Sequence, residues 1–238
     1  ISVTDAMVYY SPCQPVRNAD GSWSESTSTT QYYNPLSMIN EDTNQTIYRR
    51  MQLTGKGELN ILPELTWTAQ YSYMYNQNVL SEYHSTKSQI VKTHGQARRS
   101  TYMDNKQVFE TFGNFTHSFP GYHRLGLMVG YSWEQNNEND GFGLTVKDFY
   151  NDAVKYYNLT YANQIDGIDA VESGAESTLR MISFYGRVNY SFASRYNFQA
   201  TLRRDGSSAF GKNHRWATFP SFSAAWRIGE ERLSDDDH

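Results

Sequence analysis

The sequence predicts an all-β fold, an antiparallel up-and-down β-barrel segment that crosses a membrane. Three observations carry this. Apolar and polar residues alternate with period two along one run after another. The connections between runs switch between very short and very long. Aromatic residues, 15% of the 238 positions, gather toward the ends of the runs. Strict alternation gives a strand one apolar and one polar face. Such a strand crosses a bilayer in ~9–11 residues, longer than the ~5–6 of an ordinary globular strand. The pattern alone also admits a secreted, soluble β-sandwich that binds carbohydrate. Long loops and long strands favour the barrel.

The first 43 residues, rich in Ser and Thr from Ser22 to Thr30, read as a polar loop region. From Ile47 to Ile61 one face carries Ile47, Met51, Leu53, Leu59 and Ile61, and the other Tyr48, Arg50, Gln52, Thr54 and Asn60. From Glu64 to Asn76, Leu65, Trp67, Ala69, Tyr71, Tyr73 and Tyr75 oppose Thr66, Thr68, Gln70 and Ser72, with Met74 the only break. A less regular run from Arg98 to Phe119 carries Phe109, Phe112 and Phe115. From His123 to Trp133 the apolar face is Leu125, Leu127, Val129, Tyr131 and Trp133. From Met181 to Phe192 it is Ile182, Phe184, Val188, Tyr190 and Phe192, against Ser183, Arg187, Asn189 and Ser191. From Arg195 to Arg203 it is Tyr196, Phe198, Ala200 and Leu202, against Asn197, Gln199, Thr201 and Arg203. A last run holds Trp216, Phe222, Ala224, Trp226 and Ile228, and Pro220 is expected to interrupt it. That gives about seven strands and no amphipathic helix. Short turns are expected at Pro63, Pro120 and Ala193-Ser194, sharing one rim. Long loops are expected at Gln77–Ala97 and Asn136–Ser177, and with the Gly206–His214 connection they should share the other rim.

Composition and motifs exclude several function classes. No apolar stretch is long enough for a transmembrane helix. A net charge of −4 argues against nucleic acid as a partner. The single Cys13 excludes a disulfide scaffold and a multi-cysteine zinc site. His84, His94, His117, His123, His214 and His238 lack ligand spacing, so no metal is expected. Asp140, Asp148, Asp152, Asp166 and Asp169 lack EF-hand spacing and read as solvated loop charge. Gly55-Lys56-Gly57 lies within a strand and lacks the glycine spacing of a phosphate loop. The glycosylation sequons at Asn44, Asn114 and Asn158 carry no meaning in a bacterial barrel. No nucleophile elbow or acid–base pair assembles, so neither an enzyme nor a cofactor is expected.

The most specific text is near the end. Tyr185-Gly186-Arg187-Val188-Asn189-Tyr190 is followed by Arg203-Arg204-Asp205-Gly206-Ser207-Ser208-Ala209-Phe210-Gly211. Then come Arg215-Trp216, Phe219-Pro220-Ser221 and Trp226-Arg227-Ile228. In this order the elements resemble the barrel of SusC/RagA-type TonB-dependent outer-membrane transporters. Asn34-Pro35-Leu36 is similar to a further family feature. Ala209 departs from the Arg often found in the family, and Ala217-Thr218 from a Gly-Tyr pair. The resemblance makes Gly186, Arg187, Asn189, Tyr190, Arg203, Asp205, Gly206, Ser207, Ser208, Phe210, Gly211, Arg215, Trp216, Phe219, Pro220 and Trp226 family motif positions with turn or structural roles. It leaves the ligand-binding residues unassigned.

The resemblance also implies a larger barrel of ~22 strands, of which residues 44–231 form a part. Residues 1–43 would be an extracellular loop region and 232–238 the end of the segment, with the plug domain and TonB box outside it. It implies import of oligosaccharides or peptides across a Gram-negative outer membrane, with outer-membrane lipid around the wall. The implied partners are TonB and a SusD-like surface lipoprotein. Trp67, Tyr71, Leu127, Val129, Phe184, Val188, Phe198 and Leu202 should then face lipid, and Arg187, Asn189, Gln199, Thr201 and Arg203 the lumen. Asp205-Gly206 is expected to form an Asx turn, with Asp205 accepting from Ser207 or Ser208 and Gly206 free to take positive φ. Arg203 or Arg204 is expected to pair with a nearby carboxylate, Asp205 being a candidate.

Overall fold

A computed structural model describes residues 2–25, 33–91, 93–165 and 171–230. The stretch Ser26–Thr30, Asp166, Asp169 and the end of the segment at 232–238 lie outside the described residues. The strands are β1 (Asp42–Leu62), β2 (Leu65–His84), β3 (Gln96–Phe119), β4 (His123–Phe149), β5 (Ala162–Ile165), β6 (Val171–Ser173), β7 (Ser177–Phe192), β8 (Tyr196–Ser207) and β9 (Trp216–Trp226). They form one nine-stranded sheet in the order β1-β2-β3-β4-β7-β8-β9, with β5 and β6 paired to β4. Among the described residues the sheet does not close, β1 and β9 being the two ends of the order. A sandwich would bury one face of each of two sheets. Here there is a single sheet, and Val129, Leu202 and Phe222 are 59%, 56% and 81% exposed.

The chain divides into two compact units. One comprises residues 51–75, 105–138 and 177 onward; the other comprises residues up to 50, 76–104 and 139–176.

In the first unit the registers are continuous. Leu127 stands opposite Val188, Val188 opposite Ala200, and Ala200 opposite Phe222. Residues directly opposite one another share a face of the sheet. The β1–β2 hairpin turns at Pro63-Glu64 and the β3–β4 hairpin at 120–122, where Gly121 and Tyr122 take positive φ. The β7–β8 hairpin turns through Ala193 and Ser194 at φ 52° and 56°, as the tight hairpin turn matching strand twist requires. These turns lie at one end of the unit. The chain leaves and re-enters it at Tyr75, Asn105, Glu138 and Ser177, and crosses from β8 to β9, at the opposite end.

The second unit has its own core of Tyr83, Ala97, Val146, Phe149 and Tyr156. Tyr83 and Phe149 meet edge to face with ring centres 5.4 Å apart. Two helices stand where only loop is expected. Helix α1 (Val3–Tyr9) opens with a capping box between Ser2 and Asp5. Helix α2 (Pro35–Glu41) is capped by Asn34, whose side chain accepts from the Leu36 N–H, with Pro35 at the first helical position. Each has seven residues, too short for a 3.6-residue period to show.

The expected long loops shrink as well. Gln77–His84 continues β2 and Asn136–Phe149 continues β4. Backbone ladders need no apolar face, so the strands outlast their alternation. Pro220 does not interrupt β9, which runs unbroken through it opposite Leu202. A missing donor is tolerated because β9 is the last strand of the order.

Candidate functional site

The apolar face of the first unit is the candidate interaction surface. Its middle is aliphatic, with Leu127, Val129, Val188, Ala200, Leu202 and Pro220 in mutual register. Aromatic rings close it at both ends. At one end Phe109–Tyr131, Tyr131–Phe184 and Phe184–Trp216 follow one another at 6.5, 5.3 and 6.3 Å. At the other, beside the tight turns, His123–Phe192, Phe192–Tyr196 and Tyr196–Trp226 follow at 4.7, 6.2 and 6.3 Å. Trp216 and Trp226 begin and end the 11-residue β9. At ~3.4 Å per residue and a tilt of ~40°, they bound a band ~26 Å tall, matching the ~25 Å apolar band of a membrane barrel. Trp67, Tyr71, Leu127, Val129, Phe184, Val188, Phe198 and Leu202 are all more than a third exposed.

The opposite face is polar. On β7 it carries Ser183, Arg187, Asn189 and Ser191, and on β8 Asn197, Gln199, Thr201, Arg203 and Asp205, with each β7 residue opposite a β8 residue of this set. The Arg203 Nε donates to Asp205 Oδ1 at 2.8 Å and its Nη2 to the Ser183 hydroxyl at 3.0 Å. The Tyr185 hydroxyl donates to Glu110 Oε1 at 2.7 Å, and its ring covers Gly130, where a Cβ would come within 2.3 Å of it.

The structure spreads the family motif positions over both faces and both ends of the unit. Gly186 lies on the apolar face opposite Leu202, whereas Arg187 and Asn189 lie on the polar face. Tyr190 points to the apolar face, its hydroxyl 2.6 Å from His123 Nδ1. Phe219 lies opposite Arg203 on the polar face, and Trp226 joins the ring row beside the tight turns. Phe210, Gly211 and Arg215 occupy the β8–β9 connection, where Arg215 Nε donates to the Phe210 carbonyl at 3.3 Å.

The expected Asx turn does not form. Asp205 and Gly206 belong to β8, opposite Ala217 and Trp216. The Ser207 N–H donates to the Arg215 carbonyl and the Ser208 N–H to the Arg180 carbonyl. The ladder thus takes the donors that Asp205 would have used. Gly206 is not among the positive-φ glycines. It is small because the Trp216 ring lies over it, where a Cβ would meet ring atoms at 3.0 Å. Since Asp205 pairs only at the surface with Arg203, Asp205→Ala is expected to cost under ~1 kcal/mol. Folded-barrel yield of the intact parent checks this, and a severalfold loss of yield would contradict it.

In the second unit, charge organises the connections. Arg98 grips Glu172 of β6 with two bonds, Nε to Oε1 at 2.7 Å and Nη2 to Oε2 at 2.9 Å, and reaches Glu82 at 3.2 Å. The Tyr102 hydroxyl also donates to Glu172 at 3.1 Å. The Arg98 hydrogen bonds hold the Glu172 carboxyl below its ordinary value of 4.5, against a smaller opposing effect of burial. A depressed carboxylate contributes stability that is complete above its ordinary value and is lost as pH falls through the lowered one. Protection of the β6 amides, measured against the free-peptide exchange rate at each pH, is therefore expected to fall only below pH 4.5, and Glu172→Gln to abolish that dependence. Protection that falls equally in both proteins would contradict it. Burial pushes the Asp152 carboxyl up, but bonds from the Thr86 N–H and hydroxyl and from the Tyr83 hydroxyl outweigh it, leaving the carboxyl lowered. No periodicity could have revealed the Glu172 and Asp152 pairs, whose partners stand 66 to 74 positions apart in sequence.

Comparison with known proteins agrees with this geometry. The family model described as TonB dependent receptor-like, beta-barrel matches residues 9–236. TonB-dependent receptor P3 of Formosa agariphila is 26% identical over 95% of this chain, which spans 22% of that protein. TonB-dependent receptor SusC of Bacteroides thetaiotaomicron is 50% identical over 56 residues, 24% of this chain and 6% of SusC. The structure of the RagAB peptide transporter shares the fold with a TM-score of 0.80 at 19% identity, over 90% of this chain and 24% of that one. These relatives bear the names of receptors and transporters, not of enzymes. With its two-faced antiparallel sheet, its ring rows and a family match over nearly its whole length, the chain belongs to the TonB dependent receptor-like β-barrel family.

Proposed function

We propose that this chain supplies part of the wall of an outer-membrane transporter. The parent would import oligosaccharides or peptides, energised by TonB and working with a SusD-like surface lipoprotein. The observation that carries the proposal is the apolar band between two ring rows, backed by a polar face of Arg, Asn, Gln and Ser. In a barrel the first face meets lipid and the second lines the lumen. Residues 44–231 are the wall strands and their connections, and residues 1–43 belong to the extracellular loops. Further strands of the parent would pair with β1 and β9, since an exposed edge in a membrane leaves backbone groups unsatisfied. The motif positions act in the wall as strand, turn and ring-row residues. The likeness to RagAB, a peptide transporter, supports peptides and the SusC likeness supports the shared partner scheme, each through resemblance alone.

The experiment is uptake by cells carrying the intact parent, with labelled oligosaccharides and labelled peptides offered separately. One class is expected to enter, and entry is expected to stop when either TonB or the surface lipoprotein is deleted. Entry that persists without TonB would contradict the proposal.

A further inference from the structure

Two adjacent arginines on β8 have opposite surroundings. Arg203 points to the polar face, where Asp205 takes its charge. Arg204 points to the apolar face, opposite Phe184 and Thr218. Its guanidinium lies 5.3 Å from the centre of the Trp216 ring, and no carboxylate pairs with it among the described residues. Arg180 stands on the same face opposite Gln135, to which its Nε donates at 3.0 Å, again with no carboxylate partner among the described residues. The β8–β9 connection at this end adds Lys212, His214 and Arg215.

An unpaired cation on an apolar surface is costly unless its head reaches polar surroundings or an anion. Arg204 is level with the ring row of Tyr131, Phe184 and Trp216, the depth at which lipid head groups lie. At 5.3 Å from the Trp216 ring centre the guanidinium is within cation–π range of it, and a guanidinium carries a planar edge of N–H donors. That edge suits two parallel bonds to one phosphate. In register, Arg180 lies four positions farther along the sheet than Arg204, a separation of ~13 Å. One phosphate cannot bridge that distance, but a head group bearing two phosphates can.

We propose that Arg204 and Arg180 form a site for a phosphorylated lipid head group on the outward leaflet side of the wall. The site rests on the membrane-barrel reading above. The probe is diphosphorylated lipid A, compared with the same lipid stripped of phosphate, bound to the intact parent purified in nanodiscs. Folding is checked by heat-resistant migration, and membrane placement by outer-membrane fractionation. Arg204→Ala is expected to lower retention of diphosphorylated lipid A about fivefold. Arg204→Lys should recover part of the loss. Neither variant should change retention of the stripped lipid, and millimolar inorganic phosphate should not displace the bound lipid. Equal retention by wild type and Arg204→Ala, both folded and in the outer membrane, would overturn the site alone. A wild-type parent absent from the outer-membrane fraction would overturn the barrel reading and the site together. Displacement by inorganic phosphate would overturn the lipid as its occupant.

Discussion

Val188→Arg in the intact parent is expected to destabilise the folded barrel by ~2–4 kcal/mol, the cost of a cation near the bilayer midplane. Val188 lies midway between the two ring rows, with Leu127 on one side and Ala200 then Phe222 on the other. The neighbouring Asn189→Arg is the control, because position 189 turns to the polar face beside Gln199. It should leave heat-resistant barrel near wild-type yield. The contrast with Arg204 is instructive. Both are cations on the apolar face, but Arg204 sits at the ring row, where head groups can meet it. Equal yields for Val188→Arg and Asn189→Arg would refute the assignment of faces.

Phe149→Ala is expected to cost ~3–5 kcal/mol within the second unit, the usual range for emptying a buried aromatic site. Phe149 is fully buried, packs edge to face on Tyr83 and donates its N–H to the His94 carbonyl at 2.7 Å. Its loss removes the ring that joins β2, β3 and β4 in that core. The effect should stay local. Proteolysis within residues 150–176 is expected to accelerate at least tenfold, while the heat-resistant barrel persists. Unchanged cleavage would show that this core does not hold the connection.

Much of this fold was legible in the sequence, because the wall strands of a membrane β-barrel carry one apolar and one polar face. Wherever that held, as from Met181 to Phe192, period two gave the strand, its faces and its turn. Where runs of polar residues interrupt the alternation, the signal weakens although the ladder continues, even if later residues such as Tyr83, Val146 and Phe149 fill a core. Gln77–His84 and Asn136–Phe149 therefore read as loop. At Asp205-Gly206 local turn chemistry pointed one way and strand pairing the other. The ladder won because Arg215 and Arg180 supplied carbonyls to the serine N–H groups. Asn34-Pro35 stood out only as text. Its physical role is a helix cap, with Asn34 almost fully buried and donating to the Val16 carbonyl. The Arg98–Glu172 grip depends on residues brought together only by the fold.

The facing of β7 is tested most directly by spin labels at Ser183, Phe184, Arg187, Val188, Asn189 and Tyr190 in the intact parent in bilayers. Accessibility to oxygen, which concentrates in lipid, is compared with accessibility to a water-soluble nickel chelate. Labels at 184, 188 and 190 are predicted to favour oxygen and those at 183, 187 and 189 the chelate. Uniform accessibility along the strand, or the opposite phase, would contradict a membrane-barrel wall.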